Sequence, residues 1–277
     1  MRFVTSVLIV LALAARAYAA DLPEVLRGSQ PVGPALFPNW SGLYVGGQFG
    51  ASDAKADFAN STGAPIAFVL RETTLQNEFD PAGWPVLGTG DHTTQASGGF
   101  IGYNTQWQDF IAGVEGNYNH SSVSLIAENS PISRITPDNS YLVTLSGAGT
   151  LTGVDYGTIR GRVGWILGNF LPYGFAGLAV GRANINVTAT VLGEQNPPSG
   201  GGACSLSNSP PCTPFFFSDS VGHNPAWLYG FTVGGGLDIA LTQHFFVRAE
   251  YEFIQFAAAA NVPLTINSAR LGAGVKF

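Results

Sequence analysis

The sequence predicts an all-β fold: an eight-stranded antiparallel β-barrel that crosses a bilayer, with four long connections at one end and short turns at the other. Three observations carry this prediction. The chain ends on a strictly alternating strand, with Ala269, Leu271, Ala273, Val275 and Phe277 on one face and Arg270, Gly272, Gly274 and Lys276 on the other. Charged residues make up only 11% of the chain, against about 25% in a typical soluble domain, too few to cover a water-facing surface. The chain also opens with an export signal.

Residues 1–19 read as a secretory signal peptide. Arg2 supplies the positive n-region, Phe3–Ala15 the apolar h-region, and Ala17-Tyr18-Ala19 the small-x-small cleavage site. That apolar run is shorter than the roughly 18 residues a transmembrane helix needs, and no later stretch reaches that length, so any membrane span must be made of strands. Taking Arg2 and Arg16 from the 12 basic residues leaves 10 against 18 acidic ones, a net charge of −8. An acidic balance without basic patches excludes nucleic acid as a partner. Residues 20–39, with Pro23, Pro31, Pro34 and Pro38 and little alternation, read as an extended periplasmic arm or an unstructured tail. Residues 40–277 are left for the barrel.

Period-2 alternation marks eight strands near Gly42–Ser52, Thr94–Trp107, Phe110–His120, Gly153–Trp165, Phe170–Arg182, Ala226–Ile239, Phe245–Phe253 and Ile266–Phe277. Each is close to the 9–11 residues that a tilted strand needs to cross a bilayer. The connections alternate in length. Those at Gln108-Asp109, Ile166–Asn169 and Ala240–His244 are short, whereas 53–93, 121–152, 183–225 and 254–265 are longer. An even strand count with this asymmetry places both termini on the short-turn, periplasmic side.

Cost decides which face points outward. Glu115, Arg160, Arg162, Asp238, Arg248, Glu250, Glu252, Arg270 and Lys276 share one set of faces. Leu43, Val45, Phe49, Ile101, Tyr103, Val114, Ile159, Val163, Val233, Leu237, Val247, Ala249 and Tyr251 share the other. Turning each basic side chain to lipid would cost roughly 2–4 kcal/mol near the midplane, so the charged set faces the lumen. Aromatic girdles are expected at Trp107, Phe110, Trp165, Phe170, Phe245 and Phe277 near the short turns, and at Tyr118 and Trp227 near the loops. The lumen of an eight-stranded barrel is just wide enough for side chains to fill. Opposed charges there read as a salt-bridged core in preference to a selective pore or proton path.

Four further features bear on chemistry. Cys204 and Cys212 sit in the longest loop, and in an oxidising compartment they are expected to form a disulfide, with free or metal-binding thiols as the alternative. Phe215-Phe216-Phe217, in the same loop, are expected to fold down over the barrel mouth, the alternative being an exposed contact tip. His92, His120 and His223 fall near the extracellular rim and His244 in a turn; haem or metal capture would need ligand spacing that they lack. None of the histidines stands opposite a serine in a strand core, and the Gly-Gly pairs precede no helix. No enzyme activity, cofactor or metal is therefore expected.

The strand segments Trp40–Gly47, Ile101–Asn104, Gly113–Gly116, Thr158–Gly164, Gly177–Gly181, Arg248–Tyr251 and the terminal strand, in this order, resemble the small outer-membrane β-barrel proteins of alphaproteobacteria. That family includes the major surface proteins of Brucella and the hemin-binding proteins of Bartonella, and is more distantly related to opacity proteins. The resemblance covers the strands and not the loops. It implies an eight-stranded barrel in the outer membrane of a Gram-negative bacterium, with Phe277 as the C-terminal assembly signal. The implied role is structural, supporting the envelope and displaying surface loops. A porin or small-solute channel, and a haem- or host-binding receptor, are the alternatives. Expected partners are outer-membrane lipid, lipopolysaccharide and the barrel-assembly machinery, with peptidoglycan or a host surface as further candidates.

Overall fold

The computed structural model describes residues 39–137, 140–195 and 212–277. Among the described residues there are nine strands: β1 (Gly42–Asp57), β2 (Thr89–Trp107), β3 (Phe110–Ile126), β4 (Ile132–Ile135), β5 (Tyr141–Trp165), β6 (Phe170–Gln195), β7 (Thr213–Ala240), β8 (Phe245–Ala259) and β9 (Val262–Lys276). Sequential strands other than β3 and β4 pair antiparallel, β3 pairs with β5, and β1 pairs with both β2 and β9, so eight strands close a ring. The ninth, β4, lies on the upper part of β5 outside that ring. Closure removes the sheet edges that hydrocarbon could not satisfy.

Alternation sets the faces as the sequence implies. Leu43, Val45, Ile101, Tyr103, Val114, Ile159, Val163, Leu178, Tyr229, Phe231 and Leu271 are exposed on the outer wall. Trp107, Phe110, Trp165, Phe170 and Phe245 are exposed beside the short turns, with Tyr118 and Trp227 towards the other end. The short connections are tight. Gly168, at φ +64°, turns β5 into β6 where a side chain would be strained.

Three expectations need correction. The walls rise well beyond a bilayer: β5 begins at Tyr141, β6 runs on to Gln195 and β7 starts at Thr213, so much of the expected loops 121–152 and 183–225 is strand. The cause is continued alternation, since Ile185, Val187, Ala189 and Val191 keep facing inward above Arg182. The fourth long connection is a hairpin instead, turning at Ala260-Asn261 with φ of 51° and 61°, the pattern of a type I′ turn. The Phe triplet is not folded over the mouth. It is part of β7, where alternation sends neighbouring rings to opposite faces and leaves Phe216 63% exposed.

The first long connection is the one that turns inward. It carries helices α1 (Gly63–Val69) and α2 (Thr74–Phe79) and a 3₁₀ turn at Pro81–Gly83, with the Thr73 hydroxyl capping the amide of Gln76. Ile66, Leu70, Leu75, Val86 and Leu87 from this segment join Leu125, Val143, Leu145, Leu151 and Val187 in one buried apolar cluster inside the raised walls. At the other end a smaller cluster of Trp40, Tyr44, Phe100, Ile111, Ile166, Leu171, Ala240 and Phe246 fills the lumen near the short turns. The charged residues lie between these two apolar layers.

Residues 1–38, which hold the signal peptide and all of the 20–39 arm but Asn39, and Cys204 lie outside the described residues; Cys212 is disulfide-bonded.

Candidate functional site

Antiparallel register brings the lumen charges together. Glu115 on β3 stands directly opposite Arg160 on β5, Asp238 on β7 opposite Arg248 on β8, and Glu250 on β8 opposite Arg270 on β9. Arg162 and Glu252 share the inward parity of their neighbours two residues away. All eight side chains are at most 2% exposed. Four arginines face four carboxylates, so the group is neutral.

Glu115 is the hub. Its Oε1 accepts from Arg160 Nε at 3.1 Å, and its Oε2 accepts from Arg162 Nη1 at 3.1 Å and Arg248 Nη1 at 2.9 Å. The Tyr44 hydroxyl and Asn117 Nδ2 also donate to it, each at 2.7 Å. Arg248 grips Asp238 with two nitrogens, Nε to Oδ1 at 2.8 Å and Nη2 to Oδ2 at 3.1 Å, and Arg162 Nη2 reaches the same Oδ2 at 2.7 Å. Glu250 accepts from Arg160, from Arg270 at 2.6 Å and from the Tyr173 hydroxyl at 2.8 Å. Glu252 accepts from Thr232 at 2.8 Å and lies within ion-pairing distance of Arg160 and Arg270. Forked guanidinium–carboxylate contacts of this kind combine charge with fixed geometry.

Aromatic rings complete the packing. The Arg160 guanidinium lies 3.9 Å from the centre of the Phe175 ring, Arg162 3.8 Å from Tyr173 and Arg248 4.1 Å from Phe100. Such desolvated cation–π contacts add to each arginine's partners. Room for the rings comes from glycine on the facing strand. A Cβ at Gly102 would overlap the Tyr44 phenol, and one at Gly236 the Tyr173 phenol. Above the network, Gln48 Nε2 donates to Asn117 Oδ1 and Asn119 Oδ1, and the Ser52 and Ser268 hydroxyls pair at 2.8 Å.

The structure therefore brings together every charge that the sequence places in the lumen, except Lys276. That residue lies lower, with its ammonium 6.0 Å from the Trp40 ring centre. Tyr44, Tyr173, Phe100, Phe175, Thr232 and Asn117 were missed by reasoning from charge alone. Their signal was available, because each shares inward parity with a charged neighbour on its own strand or the adjacent one.

The histidines are not brought together. His120 Nδ1 contacts Asp155 on the outer wall, and Asp155 also accepts from Arg182 Nε at 3.1 Å. Against the expectation, His120 does stand opposite a serine, Ser97 on β2, because β3 continues past it to Ile126; both are exposed on the outer face, and His92 lies five residues further up β2, a separation of roughly 16 Å along the strand. His223 is on β7 opposite Ile185. Among the described residues, no group of three or more His, Cys, Asp or Glu side chains is placed to hold a metal ion.

A closed antiparallel ring with an apolar exterior and a paired ionic interior defines a membrane-spanning β-barrel. The chain belongs to the outer membrane protein beta-barrel domain family, whose model matches residues 5–277. It is similar to a 22 kDa outer membrane protein of Rhizobium leguminosarum bv. viciae, with 25% identity over 68% of this chain and 69% of that one. It is also similar to a 25 kDa outer-membrane immunogenic protein of Brucella ovis, with 23% identity over the full length of both. Among solved structures it is similar to Ail, the attachment invasion locus protein of Yersinia pestis, at 14% identity and TM-score 0.34, covering 86% of this chain and 99% of that one. Neisserial surface protein A matches at 16% identity and TM-score 0.37, covering 86% and 98%. The protein is thus an outer-membrane β-barrel of a Gram-negative bacterium.

Proposed function

We propose that the protein is a structural barrel that braces the outer membrane and displays its raised walls and loops outside the cell, without catalytic activity. The occupied lumen supports this reading most directly. A neutral set of eight paired charges fills the cross-section, with apolar side chains packed below it and above it. Ion conduction would require those pairs to part, and a buried pair left broken costs about 3–5 kcal/mol. Phe277, 71% exposed at the end of the last strand, is the residue offered to the barrel-assembly machinery. Outer-leaflet lipid and lipopolysaccharide contact the apolar wall and its aromatic borders.

Two measurements test this. Pure refolded protein in a planar bilayer is expected to be electrically silent; stable ohmic steps would make it a channel. Outer-membrane fractions are expected to show a mobility shift on boiling, with protease shaving of whole cells cutting the connections beyond the rim. Protection of every such site on intact cells would remove surface display.

A further inference from the structure

Among the described residues, the upper half of β7 has a hydrogen-bonded neighbour on one side only. β6 pairs with β7 from Gln195↔Thr213 to Phe170↔Ile239, with one register shift near Ala183. On the other side β8 pairs with β7 only from Gly230 to Ala240, because β8 turns back at Ala260-Asn261. Residues 213–229 therefore present a row of backbone N–H and C=O groups that no other strand meets among the described residues.

Proteins ordinarily blunt such edges by shortness, lysine or proline. The opposite edge, β4, is blunted in this way, spanning four residues and including Arg134. In β7 the segment Phe215–Asn224, between Pro214 and Pro225, contains no lysine, arginine or proline and one charge, Asp219. Phe216, Ser218 and Ser220 on one face are exposed, as are Phe217 and His223 on the other. Helix α1 packs against β7, yet no backbone bond from it or from another strand reaches 215–224 on this side among the described residues, and a long β-prone edge of this kind above a membrane is a template for another strand.

We propose that this edge captures an extended segment of another polypeptide, which adds to β7 as a further strand of the wall. Backbone groups supply the attachment and side chains the selectivity. The favoured segment is apolar opposite Phe215 and Phe217 and basic opposite Asp219. A second copy of this chain is the wrong occupant. Copies in one membrane are related by an axis along its normal, and strands tilted by roughly 35–45° would then cross instead of lying side by side. The proposal rests on surface display of this wall.

The test uses full-length refolded protein in detergent micelles and a fluorescein-labelled peptide of sequence 184–194, the β6 segment that already pairs with β7 from its other side. Its Ala189 is replaced by lysine, since Ala189 stands opposite Asp219. Saturable anisotropy and slowed hydrogen exchange at amides within 215–224 are expected. Of the variants Ser218→Pro and Asp219→Pro, one removes a free-side N–H and the other a β6-facing N–H, because these alternate along a strand. The free-side variant is expected to keep its unboiled gel mobility yet bind the peptide at least about tenfold more weakly. Absence of saturable binding, equal binding of a scrambled peptide, or unchanged binding in both proline variants would overturn the proposal. Binding in micelles with no protease access to this edge on whole cells would instead overturn surface display and leave the edge intact.

Discussion

The Tyr44 hydroxyl on β1 donates to Glu115 Oε2 on β3 at 2.7 Å, joining residues 71 positions apart and reaching across β2. The contact exists because β2 offers Gly102 where any side chain would displace the phenol. One carboxylate thereby ties together side chains from β1, β3, β5 and β8. The lumen is held by cross-ring bonds as well as by the backbone ladder.

Cutting the hub should be costly. Glu115→Ala leaves Arg160, Arg162 and Arg248 short of a carboxylate, and Arg160→Ala leaves Glu250 and Glu115 short of a base. Each variant is expected to lose about 3–5 kcal/mol, read as a lower temperature for loss of the fast-migrating unboiled band. Arg160→Lys should rescue little, because an ammonium cannot make the forked contacts. Unchanged melting in all three would mean that the network does not hold the barrel.

Tyr173→Phe separates hydrogen bonding from ring packing. The phenyl ring still lies against Arg162, while Glu250 loses a donor at 2.8 Å. A loss of about 1–3 kcal/mol is expected, smaller than for Arg160→Ala, measured by urea titration in micelles.

The hairpin between β8 and β9 should be improvable. Ala260 sits at φ +51°, where a Cβ costs roughly 1–2 kcal/mol. Ala260→Gly is therefore expected to raise the thermal midpoint even though it deletes a methyl group. A lower midpoint would show that the turn is not strained.

Leu70→Ala tests the apolar cap. Leu70 is buried among the raised walls, and its truncation should cost about 2–5 kcal/mol of docking energy for the α1–α2 segment. Faster proteolysis within residues 59–88 is expected, with the boiled and unboiled mobilities unchanged. A shift in barrel melting of the same size would instead make the cap part of the barrel's cooperative unit.

His120, Asp155 and Arg182 provide the contrast. They form a hydrogen-bonded row on the outer wall, with the His120 and Arg182 side chains 60% and 57% exposed. Asp155→Asn should shift stability by no more than about 1 kcal/mol, measured as for Glu115→Ala. A larger loss would show that this row is tied into the barrel's folding.

Strand parity made the inside of the barrel readable. A charged residue facing lipid is so unfavourable that Arg160, Arg162, Arg248 and Arg270 could only face inward, and each carboxylate followed. The height of the walls was less legible. Bilayer thickness fixes the minimum length of a strand and says nothing of where it stops, so Ile185–Val191 passed for loop although its alternation was plain. The α1 and α2 helices were hidden for another reason: with six or seven residues each, they are too short for helical periodicity to register and depend on the cluster they join.

The distribution of charge around the ring has a consequence for how the protein enters the bilayer. Arg160 and Arg162 are paired with no carboxylate of the β5–β6 hairpin, whose Asp155 bonds to Arg182 on the outer wall; their carboxylates come from β3, β7 and β8. A hairpin that slid into hydrocarbon by itself would carry two naked cations with it. The sheet must therefore curl until both sides of the circle face each other before it sinks, which makes immersion of this chain a concerted event in place of a strand-by-strand one.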